Sequence, residues 1–390
     1  MSVCVDYAYK SLNKYQEELC GDKVEFLRTD DFSIFILADG MGSGVKANIL
    51  ATLTVKILGT MFKNGAGLEE CVETIIRTLP VCQVRHVAYS TFTILQIFDD
   101  GNAYLVEFDN PSCIFIRDGL LVPIPANERT IADKTINEYR FRVKEGDVFV
   151  LTSDGVTHAG MGQTMNFGWG WENAAHYAEG IADGSMSAAR MADRFCQACE
   201  DLYIGRMGDD TTAAVIRIIG KRAVAIFSGP PQHKEDDEAA VEKFMSLQGR
   251  KVICGGTSAR ITSRILKRPL RTSLDYIDPD VPPLAWMEGM DLVTEGILTL
   301  RKVVEMLESC VDHRTSGNFF QRLDEKDGGS RLAKLLLEDC THLELIVGTA
   351  INAAYQVQNL PIDFAARMEL IGRLKTAVER LGKQVEVTYY

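Results

Sequence analysis

The pattern of apolar segments changes near residue 220, and this change most constrains the fold. Before Gly220, strand-like segments separated by turn residues are mixed with helices that gather in two blocks, a pattern typical of an α+β layout. After Arg222 the chain alternates strand, helix, strand and helix through AVAIFSG, DDEAAVEKFMSLQG, KVICGG and SARITSRILK, which is typical of an α/β unit. The length of 390 residues also favours more than one domain. We therefore predict two domains, residues 1–220 and 221–390.

Within the first domain, the segments that alternate or recur predict individual elements. Residues 32–38 form a short apolar run that predicts a strand, and the next apolar residues recur at helical spacing. The predicted buried face of that helix consists of Ile49, Leu50, Leu53, Ile57, Leu58 and Met61. Segments between Ala88 and Val122 predict an antiparallel meander, residues 171–204 a helical stretch, and residues 211–219 a final strand. In the second domain we predict helices near 289–309, 331–339 and 361–381.

The charge and the cysteine content exclude several classes of function. The formal net charge of -12 repels nucleic acid and anionic membranes. The first residues lack a signal-peptide pattern and no uncharged apolar run is long enough to span a bilayer, so we expect a cytoplasmic protein with no membrane partner. The ten cysteines are dispersed and predict reduced thiols. Cys196 and Cys199 have the spacing of a redox pair or half a zinc site, but no second ligand pair lies nearby, which favours two core-facing thiols one helical turn apart.

Three acidic loops lie where predicted strands begin or end. Asp39 follows one strand, Asp154 follows another, and Asp209 precedes a third, while Asp22 lies ahead of the first. Carboxylates brought together at such an edge repel one another unless cations lie between them. Oxygen ligands without neighbouring histidine or cysteine suit hard ions such as Mg²⁺ or Mn²⁺. A glycine beside each of these aspartates, Gly40, Gly155 and Gly208, lets the backbone approach an ion.

The order and spacing of these loops resemble a known family. The motifs are GD at 21–22, LADGMGSG at 37–44, LTSDG at 151–155 and GDDTTAAV at 208–215. Together they are similar to the metal-dependent Ser/Thr phosphatases of the PPM family, in the SpoIIE-like branch of bacterial phosphatases. Asn110-Pro111 also falls where that branch commonly has a small turn. The resemblance covers residues 1–220 and none of 221–390.

The resemblance implies a fold, a site and a reaction. It implies a central β-sandwich flanked by helical pairs (αββα), here followed by a smaller α/β domain. Asp39 would bridge two divalent cations, Mn²⁺ or Mg²⁺, the Gly40 carbonyl would bind one, and Asp154 and Asp209 would bind the other. Asp22 would contact the site through water. Asp39, Asp154 and Asp209 are thus the implied catalytic residues, and the implied reaction is attack of a cation-activated water on phosphoserine or phosphothreonine.

The chain departs from the wider family at two positions. Met41 stands where many relatives have a histidine that could act as a general acid, so the leaving group must take its proton from water or another residue. No N-terminal arginine clearly matches the phosphate-binding arginine of other branches, and Arg28 is the one candidate. His158 could reach the site or could be an ordinary loop residue, and the glycine-rich segment 159–170 is either a flap or a long connection.

In the second domain, the strand KVIC runs into Gly255-Gly256-Thr257-Ser258-Ala259-Arg260 and a helix. This turn is physically similar to a phosphate-binding helix N-terminus, but a tight turn beside a solvated basic helix is the alternative. We expect the domain to regulate, dock or dimerise the protein. The expected partner is a phosphorylated regulatory protein, similar to an anti-sigma-factor antagonist. A homodimer is a further option that the sequence leaves undecided. The alternatives are a non-catalytic sensor or scaffold with a ligand-binding C-terminal domain, and a small-molecule phosphohydrolase.

Overall fold

The computed structural model describes residues 3–79, 90–184, 186–272, 284–312, 317–350 and 360–390, and within the last range the side chains from residue 365 onward. Cys82 lies outside the described residues. The chain forms two compact units, Met1–Gly220 and Lys221–Tyr390. Each unit has its own sheets and its own hydrophobic cores.

The described residues of the first unit form eleven strands and five helices. The strands are β1 (Cys4–Leu12), β2 (Asp22–Arg28), β3 (Phe32–Gly40), β4 (Ser90–Phe98), β5 (Asn102–Phe108), β6 (Ile114–Arg117), β7 (Leu120–Leu121), β8 (Asn127–Ile131), β9 (Lys134–Arg142), β10 (Val148–Thr152) and β11 (Thr211–Ile219). The helices are α1 (Gly44–Lys63), α2 (Leu68–Thr78), α3 (Asp154–Thr157), α4 (Trp171–Ile181) and α5 (Ala188–Leu202). The predicted stretch 171–204 is therefore two helices.

These strands form two antiparallel sheets. The six-stranded sheet has the order β2-β3-β4-β5-β9-β8, and the five-stranded sheet has the order β1-β11-β10-β6-β7. The predicted meander from Ala88 to Val122 is wrong for its last strand. β6 does not follow β5 in the same sheet but pairs with β10 in the other one. Asn110-Pro111 lies where the chain crosses from one sheet to the other. Alternating apolar residues alone do not show that crossing.

The two sheets pack face to face with helices outside them. Phe35 and Leu95 from the six-stranded sheet meet Phe115, Phe149 and Ile216 from the other in one core. Helices α1 and α2 cover the outer face of the six-stranded sheet, and α4 and α5 cover the outer face of the five-stranded sheet. The predicted α+β class and the sandwich flanked by helices are therefore confirmed.

The buried face of α1 differs from the predicted one. Ala51, Val55 and Leu58 are fully buried against the sheet, whereas Ile49 and Leu53 are 52% and 44% exposed. The small residues of α1 allow the helix to lie close to the sheet, and this turns the larger side chains outward. Among the described helices, α1 alone has the length and apolar composition that could cross a membrane, a property it shares with core helices.

The second unit consists of strands β12 (Ala223–Ser228), β13 (Arg250–Cys254), β14 (Arg271–Thr272), β15 (Ala285–Trp286), β16 (Leu292–Thr294), β17 (His342–Val347) and β18 (Gln384–Tyr389). Its helices are α6 (Asp237–Ser246), α7 (Gly256–Leu266), α8 (Ile297–Val311), α9 (Phe319–Leu323), α10 (Gly328–Glu338) and α11 (Leu360–Arg380). The predicted helix 289–309 is wrong at its start, because residues 292–294 are a buried strand.

The sheet of the second unit has the order β14-β15-β16-β13-β12-β17-β18, and the five strands from β16 to β18 in that order are parallel. Helices α6 and α7 pack on one face, while α8, α10 and α11 pack on the other. This is the doubly wound arrangement of α/β domains, whose parallel strands all end at one edge.

The sandwich core gives a direct test of the fold. Phe149 is fully buried and stacks on Phe115 with ring centroids 4.7 Å apart, whereas Phe167 is 90% exposed. We expect Phe149→Ala to lower the free energy of unfolding by about 3–5 kcal/mol, because it leaves a cavity between the sheets. The matched Phe167→Ala change should cost less than about 0.5 kcal/mol. Chemical unfolding followed by circular dichroism measures both, and equal costs would contradict the sandwich packing.

Candidate active site

Two of the predicted aspartates face each other across adjacent strands. Asp22 opens β2 and Asp39 lies near the end of β3, and the antiparallel register places the two residues opposite each other. The Gly40 amide donates to the Gly21 carbonyl at 3.1 Å and continues this pairing. Asp22 is buried and Asp39 is partly buried. One end of the six-stranded sheet therefore holds two carboxylates on neighbouring strands.

The five-stranded sheet brings the remaining aspartates to the same place. Asp154 follows β10 and Asp209 precedes β11, and these two strands are antiparallel neighbours. Between them, the Ser153 hydroxyl donates to Asp22 Oδ2 at 2.6 Å and accepts from the Thr212 amide at 2.9 Å. The Ser153 hydroxyl therefore connects Asp22 of the six-stranded sheet with Thr212 of the five-stranded sheet.

Two glycines allow the backbone segments of the site to meet. A Cβ atom on Gly155 would lie 2.0 Å from the Asp210 carbonyl oxygen, and one on Gly40 would lie 2.1 Å from the Ala47 carbonyl oxygen. No side chain fits at either distance. The glycines beside Asp39 and Asp154 are thus required for packing, whatever part the Gly40 carbonyl has in binding an ion.

The carboxylates interact electrostatically as one group. Burial, followed by the charges of Asp22, Asp154, Asp209 and Asp210, raises the pKa of Asp39 to about 9. Burial raises the pKa of Asp22 to about 7, against the opposing hydrogen bond from Ser153. The pKa values of Asp154 and Asp210 are also raised, mainly by burial. The protein alone therefore does not supply enough positive charge for these groups.

Two oxygens of this cluster are buried without a protein donor. Asp22 Oδ1 and Asp210 Oδ2 have no hydrogen-bond partner among the described residues. Both residues are only 3% exposed, so water does not reach them freely either. As the side chains stand, no three carboxylate, histidine or cysteine groups of the described residues converge into a complete ion site. The side chains of Asp154 and Asp209 are 47% and 36% exposed and have room to move. An oxygen-only set with raised pKa values and unpaired oxygens fits hard divalent cations.

The other predicted residues are distributed around this cluster or away from it. Arg28 lies at the opposite end of β2 and binds Asp99 at 2.8 Å, so it is not a phosphate ligand of this site. His158 Nδ1 lies 3.8 Å from Asp154 Oδ2 at the rim. Met41 follows Gly40 directly. Cys196 and Cys199 are fully buried in the core beneath α5, which confirms the interpretation as core thiols.

Lys14 is a site residue that the sequence did not reveal. Its amide donates to Asp210 Oδ1 at 3.0 Å, and its ammonium lies 3.5 Å from Asp209 Oδ1. It lies in the polar connection between β1 and β2, where no motif distinguishes it from other lysines. Its position becomes visible only once β1 is paired with β11, because that pairing carries the connection to the aspartates.

One cysteine, Cys20, lies directly before the Gly21-Asp22 segment of the site. Burial, followed by the charges of Asp22 and Asp210, raises the pKa of the Cys20 thiol. A cysteine that attacks phosphorus must be a thiolate, which requires a lowered pKa. The surroundings of Cys20 favour the protonated thiol, so they argue against a covalent cysteine mechanism.

Comparison with known proteins gave a family match within the first unit and matches to solved structures. Residues 29–219 match the family model of stage II sporulation protein E. The PP2C phosphatase domain with a regulatory fragment of SpoIIE from Bacillus subtilis is 19% identical, with a TM-score of 0.48 over 56% of this chain and 64% of that chain. The RsbU and RsbW domains of a Mycobacterium tuberculosis protein are 18% identical, with a TM-score of 0.46 over 63% of this chain and 68% of that one.

A third structure is that of the catalytic domain of the serine/threonine phosphatase PstP in complex with two manganese ions. It is 15% identical, with a TM-score of 0.39 over 56% of this chain and 100% of that chain. No curated protein sequence matches the chain.

The close approach at Gly155 predicts a large effect of a single methyl group. We expect Gly155→Ala to destabilise the first unit by about 2 kcal/mol or more, because the new Cβ would overlap the Asp210 carbonyl. Gly180 in α4 has no atom within 4 Å of a built Cβ, so Gly180→Ala should leave stability unchanged or raise it by up to about 1 kcal/mol. Thermal unfolding of both variants checks this, and a harmless Gly155→Ala would refute the packing described.

The raised carboxyl pKa values predict a pH dependence in metal-free protein. Folding raises the pKa of Asp39 from 3.8 to about 9, so the folded state binds more protons and stability falls as pH rises across that window. At pH 8 we expect metal-free Asp39→Asn to unfold about 2–8 °C higher than wild type, equivalent to about 1–2 kcal/mol. Calorimetry in chelator from pH 5 to 9 measures this. A pH slope that is identical in both proteins would contradict the carboxylate repulsion.

Proposed function

Because residues 29–219 belong to the stage II sporulation protein E family, we propose that the Met1–Gly220 unit is a metal-dependent phosphoprotein phosphatase. Its reaction is the hydrolysis of phosphoserine or phosphothreonine. The observation that carries this proposal is the meeting of Asp22 and Asp39 with Asp154 and Asp209 at one end of the two sheets. The family provides the reaction class, and the carboxylate cluster provides the chemistry.

Asp39, Asp154 and Asp209 would hold two divalent cations, Mn²⁺ or Mg²⁺, with the Gly40 carbonyl as a further ligand. When bound, such cations lower the pKa of water and neutralise charge on a phosphoryl group. Asp22 would act through water, and Ser153 holds its Oδ2 by a 2.6 Å hydrogen bond. This bond fixes the Asp22 carboxylate so that its second oxygen stays available.

Lys14 would bind the phosphate of the substrate. Its ammonium lies 3.5 Å from Asp209 Oδ1 and its side chain is 38% exposed, so it can reach a phosphoryl oxygen without leaving the site. It would provide the positive charge for which Arg28 was the one candidate in the sequence. A lysine acts here as a point charge, so it adds affinity rather than strict orientation.

Proton transfer to the leaving group would come from water. Met41 has no titratable proton, and the protonated Cys20 thiol stands among carboxylates that raise its pKa further. The half-exposed side chains of Asp154 and Asp209 keep the site open to solvent. The serine or threonine oxygen that leaves would therefore be protonated by solvent.

A protein substrate is favoured over a small molecule by the surface beside the site. Val45, Ile49 and Leu53 of α1 are exposed by 59%, 52% and 44%, and their spacing places them along one side of the helix. Because α1 begins four residues after Gly40, this apolar strip starts at the site. Exposed apolar strips of this kind mark protein interaction surfaces. A phosphorylated regulatory protein docked there is the proposed substrate.

Mutation of the metal ligands tests the reaction. With Mn²⁺ and an aryl phosphate, we expect Asp39→Asn and Asp154→Asn to lower kcat/KM by roughly 10²-fold or more, because each removes a ligand charge. Asp118→Asn is the control, since the Asp118 side chain is 70% exposed and pairs with Lys144. Activity that persists in both variants, or that does not need a divalent cation, would overturn the proposal. Absence of both turnover and cation binding would favour the sensor or scaffold alternative.

The proposed role of Lys14 in binding phosphate can be tested separately from the chemical step. We expect Lys14→Ala to raise KM for an aryl phosphate by about tenfold with little loss of kcat, because the lysine contacts the phosphate in ground and transition states alike. Lys56→Ala is the matched control, because Lys56 pairs with Glu25 on the outer surface. Steady-state kinetics at fixed Mn²⁺ measure both. A loss of kcat without a change in KM would contradict a role in binding.

A further inference from the structure

The second unit presents a row of strand ends that the proposed phosphatase activity does not use. Ser228, Cys254 and Thr294 end the adjacent strands β12, β13 and β16, and the register places them side by side. Val347 ends β17 on the other side of Ser228. In doubly wound α/β domains, ligands bind beyond this edge, at the carboxyl ends of the strands.

The turn after β13 leaves its backbone open at this edge. Gly255 has a φ of 129°, and among the described residues the only atom near a Cβ built on it is Ser258 Oγ at 3.6 Å. A Cβ on Gly256 would meet the Arg260 guanidinium at 3.9 Å and no other atom of the described part of the chain, and Gly256 is exposed. No described side chain therefore covers the side from which a ligand would approach the first amides of α7. The N-cap position has no side chain to cap the helix, and the first turn has no acidic residue.

A buried hydroxyl points back into the same turn. Ser258 is fully buried, yet its Oγ has no hydrogen-bond partner, and it lies against the position of a Gly255 side chain. On the next strand, Ser228 is 1% exposed and its Oγ also has no partner. Burying a hydroxyl without a partner costs about 1–3 kcal/mol, so such groups indicate a missing partner. These hydroxyls are the observation, independent of the helix terminus, that indicates a ligand.

Neighbouring helices that begin at this edge already have acidic groups at their starts. Asp237 and Glu238 lie in the first turn of α6. The Asp327 carboxylate caps α10, and Glu295 accepts from the Leu298 amide at the start of α8. Negative charge favours a helix N-terminus, and an anionic ligand would supply it at α7.

The arginines in α7 and just after it differ in whether protein groups already bind them. Arg264 pairs with Asp237, and Arg268 donates to the Glu288 carbonyl at 2.9 Å. Arg260 is exposed and lies beside Gly256, where it can reach an anion at the turn. Gly296 packs against Gly255, which places the neighbouring Glu295 on the flank of the turn. A carboxylate there suits hydroxyl groups of a ligand rather than its phosphate.

We propose that the turn Gly255–Ser258 binds the phosphate group of a small phosphate ester that carries hydroxyl groups, such as a nucleoside monophosphate or a sugar phosphate. The first amides of α7, the Ser258 hydroxyl and Arg260 hold the phosphate, and Glu295 accepts from a hydroxyl of the ligand. All residues of this site belong to the second unit, and none is part of the carboxylate cluster. It does not depend on the proposed phosphatase activity.

Calorimetric titration of the full chain with adenosine monophosphate, glucose 6-phosphate and inorganic phosphate tests the site. The titrations are made in chelator, which removes cation-dependent phosphate binding by the first unit. We expect saturable binding of at least one phosphate ester, with no binding of adenosine or glucose. Gly256→Asp should weaken binding by about tenfold or more, because its carboxylate occupies the anion position while leaving the helix start stable.

Ser258→Ala provides an independent measure. We expect it to weaken phosphate binding while leaving the melting temperature of the ligand-free chain unchanged or higher, because it removes an unpaired buried hydroxyl. Arg268→Gln, just beyond the C-terminal end of α7, is the control and should bind as wild type does. The proposal is overturned if none of the three phosphates binds, if adenosine binds as well as its monophosphate, or if Gly256→Asp binds normally.

Discussion

The repulsion among carboxylates at one end of the sandwich is the constraint on which the first unit depends. Burial and neighbouring charges raise the pKa of Asp39 to about 9, so the fold holds these groups together against their electrostatic preference. The hydrogen bond from Ser153 to Asp22 and the contact of Gly155 with the Asp210 backbone oppose that repulsion. Both restraints join residues from different strands, which explains why the site needs two complete sheets.

The same restraints separate structural from chemical roles among neighbouring residues. Asp210 is buried, and its carboxylate accepts a hydrogen bond from the Lys14 amide. The neighbouring Asp209 is partly exposed, and its carboxylate forms an ion pair with the Lys14 ammonium. One aspartate of the pair therefore anchors the connection before β2, and the other remains available for an ion. The glycines also differ in the space around them. A side chain at Gly40 or Gly155 would overlap neighbouring backbone atoms, whereas at Gly256 the described residues leave room for one.

The sequence predicted most of what depends on local pattern. The strand before Asp39, the strand before Asp154 and the change of rhythm near residue 220 follow from apolar spacing and turn residues. Long-range features could not be predicted this way. The pairing of β1 with β11, the crossing at Asn110-Pro111 and the site position of Lys14 all depend on contacts between distant segments.

The errors also have a physical origin. Helical periodicity assigned Ile49 and Leu53 to the core, but small residues such as Ala47 and Ala51 took that face because they let the backbone approach the sheet. Hydrophobic periodicity therefore predicted the helix α1 correctly but placed part of its buried face on the wrong side. The buried strand at residues 292–294 was hidden because it is only three residues long, and Glu295 and Gly296 alone separate it from the apolar pattern of α8.

The pairing of β1 with β11 has a consequence for how the first unit is made. Cys4 pairs with Ile219, and Leu12 pairs with Thr211, so the earliest strand has its partner only after the rest of the unit has been synthesised. Contacts between such distant segments form late and slowly. Lys14 follows the end of β1 and Asp209 precedes the start of β11, so both lie just beyond the Leu12–Thr211 end of this pairing. A chain that ends before β11 would thus lack both Asp209 and the strand pairing that brings Lys14 to the aspartates.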